Sequence, residues 1–105
     1  MTTGITWGLV DGFAKGTSLK GTVFTTYDKL VETFGEPNIE PGDKVWNEWG
    51  IEFEVQEGDD CDWITATVYD WKELHQGDAT VGEYQWHIGG HNYRAVELVY
   101  EALGK

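Results

Sequence analysis

The sequence predicts an α+β fold, an antiparallel sheet of three to four strands with two helices packed on one face. Three observations lead there. Apolar and polar residues alternate from Val45 to Glu57 and again from Trp63 to Trp71, the period of a strand. Apolar residues recur at helical spacing in Tyr27, Leu30, Val31 and Phe34, and again from Ala95 to Leu103. The order β-loop-α-β-β-β-α then gives two amphipathic helices one shared sheet surface to cover.

Ile5 to Val10 alternates weakly and reads as a first strand. Gly12, Gly16 and Gly21 punctuate a loop carrying Lys15, Thr17, Ser18 and Lys20. It lacks the glycine and lysine spacing of a phosphate loop. Thr22-Val23-Phe24 is a short apolar stretch. Thr25 is the expected N-cap of the first helix, with Asp28 three residues on, and Gly35 and Pro37 end it. Val45 to Glu57 and Trp63 to Trp71 are expected to form a hairpin through Gly58-Asp59-Asp60. Lys72 to Gly82 reads as a loop, and Glu83 to Ile88 as a further strand broken by Gly89-Gly90. Asn92 is the expected cap of the second helix, which Gly104 ends.

The chain has 105 residues, which suits one domain, 1–105, with residues 1–20 as a flexible or strand-adding segment. At 40% hydrophobic residues it can bury a core without a metal or disulfide staple, and its single Cys61 forms no internal disulfide. No apolar run is long enough to span a bilayer, and Met1 to Gly4 begins no signal peptide, so a cytoplasmic location is expected. A net charge of −12 makes direct binding of nucleic acid or anionic lipid unfavourable. The charge is concentrated: eleven acids lie between Val31 and Asp62, opposed only by Lys44.

Strand geometry sends Val45, Ile51, Phe53 and Val55, with Ile64, Ala66 and Val68, to the helix-covered face. The other face then carries Trp46, Glu48, Glu52, Glu54, Trp63, Thr65, Thr67, Tyr69, Trp71, Gln85 and His87. Tryptophan and tyrosine among carboxylates are unusual on a solvated sheet and common where proteins dock. The competing expectation is that the first strand or the loops fold over this face.

Catalysis has little support in the residues. Glu52 and Glu54 share a strand face at about 6.5–7 Å, a spacing open to acid–base work but also ordinary on a solvated strand. Cys61 between Asp60 and Asp62 is a poor nucleophile. His87 and His91 are separated by two glycines and form no helical metal pair, so no metal or cofactor is expected. Trp86, His87, His91, Asn92 and Arg94 make the most site-like segment, a strand end, a glycine turn and a helix start with donors suited to phosphate. Its plainer reading is a capped turn.

The runs Leu19 to Val23, Tyr27, Leu30-Val31, Phe34-Gly35-Glu36-Pro37, Lys44-Val45, Glu48-Trp49, Ala66 to Lys72 and Trp86-His87-Ile88-Gly89-Gly90 resemble a family of small phage-encoded proteins. The resemblance covers most of the chain from Leu19 onward and brings no activity with it. It implies an accessory protein working inside a bacterial host, a class that often counters host defences by stoichiometric binding.

The expected function is therefore non-enzymatic. The acidic, Trp-rich face would bind and inhibit a host defence component in the manner of anti-CRISPR or DNA-mimic inhibitors, with Trp46, Glu48, Glu52, Glu54, Trp63, Tyr69 and Trp71 at the partner protein. The alternative is a sponge for a nucleotide-like immune signal at an aromatic pocket with the Gly89–Arg94 turn, with the ligand held between subunits of a homo-oligomer.

Overall fold

The computed structural model describes residues 3–10, 17–41, 44–75 and 77–105. Five strands form one sheet in the order β1-β3-β4-β5-β2: β1 Thr3–Leu9, β2 Ser18–Thr26, β3 Glu48–Glu57, β4 Asp60–Tyr69 and β5 Glu83–Gly90. Every pairing is antiparallel. Helices α1, Tyr27–Phe34, and α2, Arg94–Leu103, cover one face. The class is α+β, as the periodicity implies, with five strands in place of three or four. Among the described residues no helix is long and apolar enough to cross a membrane.

The additional strand is β2. Its alternation is interrupted at Lys20, where the register against β5 shifts between Leu19 and Gly21. Beyond that bulge, Val23 and Thr25 turn into the core opposite Trp86 and Tyr84. Thr25 is thus a strand residue, and the helix cap moves one place on. The Thr26 hydroxyl accepts from Lys29 N–H at 3.1 Å. The expected loop glycines Gly12 and Gly16, and Lys15 with them, lie outside the described residues.

The β3–β4 hairpin turns through Gly58 and Asp59, with Glu57 opposite Asp60. Gly58 takes the positive φ, 62°, that a primed two-residue turn requires. β3 begins at Glu48 rather than Val45, and β4 ends at Tyr69 rather than Trp71. Both ends are set by Asp70. Its fully buried carboxylate accepts from Trp46 N–H at 2.7 Å, Asn47 N–H at 3.2 Å and the Asn47 side-chain amide at 3.0 Å. The chain entering β3 is clasped there, and it stays bonded to the chain leaving β4 through Asp70 N–H to Asn47 O at 3.2 Å and Lys72 N–H to Lys44 O at 2.8 Å.

Gly89 and Gly90 do not break β5; they are its last two residues. A Cβ at Gly89 would lie 2.5 Å from Thr67 Oγ1, and one at Gly90 would lie 2.7 Å from Ala95 Cβ at the start of α2. Gly89 leaves room for the Thr67 side chain of the neighbouring strand on the open face, and Gly90 lets α2 approach from the other. Asn92 is not the N-cap of α2; Tyr93 holds that position without a side-chain bond. The Asn92 side chain instead accepts from Arg94 N–H, two residues on, at 3.0 Å.

The core under the helices is built on two perpendicular indoles, Trp49 and Trp86, with ring centroids 5.3 Å apart. Each buried N–H is satisfied by a backbone carbonyl, Trp49 by Gly35 at 2.7 Å and Trp86 by Thr25 at 3.1 Å. Phe34 and Phe53 meet edge to face, and Leu30, Ile51, Val68, Ile88, Leu98 and Val99 fill the remainder. Trp7 of β1 joins the rim of this cluster, its indole N–H donating to Thr33 O. β1 therefore lies beside β3 at the sheet's edge.

Candidate functional site

The face opposite the helices is defined by register. Thr6 of β1, Glu54 of β3 and Trp63 of β4 form one cross-strand row, and Gly8, Glu52 and Thr65 form the next. Towards the other end, Glu48, Tyr69, His87 and Thr22 form a row across β3, β4, β5 and β2. Between the two ends lie Gly50, Thr67 and Gly89, all buried.

This register divides the seven expected partner-binding residues. Trp63 and Tyr69 are six residues apart on one strand, about 20 Å. Glu52, Glu54 and Trp63 make one group, and Trp46, Glu48, Tyr69 and Trp71 make the other. A single continuous acidic Trp surface is not what the strands assemble.

In the first group Trp63 is the most exposed tryptophan of the sheet, at 61%. The half-buried carboxylates of Glu52 and Glu54 share with it an open groove of ≈ 320 Å³, whose other wall is β1 from Thr6 to Val10. Among the described residues neither glutamate has an ion pair, because the cations that do pair are Lys29 with Glu32 and Arg94 with Glu57 and Asp62. Cys61 is exposed nearby, and partial desolvation, then the Glu54 and Asp62 carboxylates, push its thiol up. Glu54 takes the role that the sequence suggested for Asp60. A raised pKa disfavours the thiolate form that nucleophilic chemistry needs.

The second group is more enclosed. Tyr69 stacks on His87 at 5.5 Å between centroids, and Trp71 leans on both rings. Burial lowers the His87 pKa, against an opposing pull from Asp70, and His87 Nδ1 is buried without a hydrogen-bond partner. Burial, followed by Asp70, raises the Glu48 carboxyl; burial, followed by Glu48, raises the Tyr69 phenol. Trp46 is pinned by its indole N–H, which donates to Glu73 O at 3.0 Å. Glu73 also accepts from the Tyr84 hydroxyl, whose pKa is pushed up to about 12, chiefly by burial. These contacts hold the loop after β4 in place, so this end of the face is braced by its own aromatic and polar partners.

The ligand-binding alternative does not assemble. Trp86 is wholly in the core, half-buried His87 belongs to the aromatic stack, and His91 and Asn92 are exposed. The Arg94 guanidinium is occupied by Glu57 at 3.0 Å and Asp62 at 3.6 Å, which tie the hairpin to α2. An incoming phosphate would compete with two carboxylates. Among the described residues no three His, Cys, Asp or Glu side chains converge as a metal cage requires.

Sequence reasoning missed the part played by β1 and β2. Thr6, Gly8 and Val10 line the groove, and β2 places exposed Leu19 and Phe24 beside Gly89 and Gln85 on the same face. Alternation within Ile5 to Val10 held the signal for the first set; the bulge at Lys20 hid the second. No protein-family model, curated protein or solved structure matches the chain.

Proposed function

We propose that this protein is a non-enzymatic accessory protein that binds a basic, nucleic-acid-handling partner, the inhibitor of host defence that the phage-family resemblance implies. One observation carries the reading: Glu52 and Glu54, which have no counterion among the described residues, flank the most exposed tryptophan of the sheet on a face that neither helix covers. The carboxylates stand in for phosphates, and Trp63 supplies the apolar anchor that buries against the partner. The Tyr69–His87–Trp71 end serves as a preformed shoulder. The nucleotide-sponge reading has no comparable support, with Trp86 in the core and Arg94 already paired.

The test is competition. Immobilised protein is offered bacterial lysate, and the captured material is challenged with rising salt and with duplex DNA. A partner released by both, and no longer captured by Trp63→Ala or by Glu52→Gln/Glu54→Gln, is the expected result. Capture indifferent to salt and DNA defeats charge mimicry.

A further inference from the structure

We infer that the outer edge of β1 takes up an extended, arginine-bearing segment of the partner by strand addition, with the arginine lying in the groove beside Trp63. The inference rests on the docking reading above and specifies how such a partner is held.

β1 is an outermost strand of the sheet. Val10 N–H donates to Gly50 O at 3.0 Å, which places Val10 among the positions bonded to β3. Strand alternation then turns the backbone groups of Leu9, Trp7 and Ile5 outward. Among the described residues no backbone group outside the sheet bonds to Ile5 or Trp7. Proteins usually protect such an edge with charges, proline or a bulge. The strand TGITWGL has none of these, whereas the opposite edge, β2, carries both a bulge and Lys20. The unprotected edge is the one that adjoins the groove.

The groove selects the side chain. Gly8 leaves a gap in its wall, since a Cβ there would meet nothing within 4 Å. A residue on an added strand is two strand spacings from β3, about 9.5 Å, within the combined reach of an extended arginine and a glutamate. Passing over Gly8, a guanidinium meets the carboxylates of Glu52 and Glu54 and the exposed indole of Trp63. Arginine fits better than lysine because its planar group can stack on the indole while bonding a carboxylate through two N–H groups.

The probe is a fluorescein-labelled peptide of roughly seven alternating arginine and threonine residues, a typical strand length. Three companions accompany it: one with citrulline for arginine, one N-methylated at alternate backbone nitrogens, and one with the methyl groups on the other alternate set. Fluorescence anisotropy should show saturable binding of the parent peptide. Citrulline, Glu52→Gln/Glu54→Gln and Trp63→Ala should each weaken it about tenfold or more. One N-methylated peptide should lose binding and the other keep it, because only one edge of an added strand faces β1. Equal binding of both methylated peptides overturns strand addition while leaving the acidic Trp site intact. Failure of the parent peptide to bind, or sedimentation showing β1 consumed in self-association, overturns the inference outright. The lysate competition decides the broader docking reading independently.

Discussion

Gly89 packs so closely on Thr67 that a Cβ would lie 2.5 Å from the threonine Oγ1, and Thr67 is itself only 1% exposed. Neither side has room to retreat. Gly89→Ala should therefore destabilise the fold by about 1–3 kcal/mol, the usual cost of overpacking. Thr67→Ala removes the obstructing atom, so the double variant should recover much of that loss. Urea unfolding of both single variants and the pair measures the coupling. Additive losses would mean that the close approach does not limit the strand.

That contact also shows where sequence reasoning ended. Adjacent glycines read as a strand break because glycine is poorly suited to strands. What retains them is the proximity of Thr67 and of Ala95 on α2, residues distant in sequence. β3 and β4 were legible because alternation is local and both faces are strongly marked. The helical stripes and their glycine stops were legible for the same reason. β2 was not, because one bulged residue at Lys20 shifts the alternation. The candidate face was legible in composition but not in layout. Alternation assigns Trp63 and Tyr69 to one face, yet it does not bring them together.

The Asp70 clasp should be the most sensitive polar position. Its carboxylate satisfies Trp46 N–H, Asn47 N–H and the Asn47 amide, and both Asp70 and Asn47 are buried. Asp70→Ala removes the buried acceptor shared by Trp46 N–H and Asn47 N–H and should cost about 3 kcal/mol. The loss should also free the Trp46 indole from Glu73, visible as a change in tryptophan emission before global unfolding. A variant with unchanged urea midpoint and emission would contradict this account.

Stability should depend on pH through His87. Burial holds its imidazole below the ordinary 6.5, so the unfolded chain binds the proton more readily than the folded one. The contribution of the neutral ring is fully present above pH 6.5 and is lost as pH falls below it. Glu48 works in the opposite sense. Its carboxyl is raised from 4.5, so its contribution is complete below pH 4.5 and declines as pH rises through the raised value. His87→Phe, which keeps the stack on Tyr69, should flatten the acid-side loss. Glu48→Gln should raise stability at neutral pH and leave it unchanged in strong acid. Urea midpoints over a pH series distinguish the two variants.

Arg94 should behave as a tether rather than an anion receptor. Its pairs with Glu57 and Asp62 are partly exposed, so Arg94→Ala should cost no more than about 1 kcal/mol, less in high salt. Inorganic phosphate should raise the melting temperature of the wild-type protein no further than chloride at matched ionic strength. A specific phosphate effect that disappears in Arg94→Ala would restore the turn as a ligand site.

The tryptophans should separate into those that hold the fold and one that faces outward. Trp49 is fully buried, its N–H bonded to Gly35 O and its ring set against Trp86 and Tyr27. Trp49→Ala opens a cavity in the middle of the core and should cost ~3–5 kcal/mol. Trp63 is 61% exposed, so Trp63→Ala should change stability by no more than about 0.5 kcal/mol. The same substitution should nonetheless abolish salt-sensitive capture of the partner, because an exposed indole beside the Glu52 and Glu54 carboxylates gives up its water only on binding. Thermal melts and capture assays on the same preparations test both halves. If Trp63→Ala unfolds the protein, Trp63 is structural; if stability and capture both survive, the partner docks elsewhere.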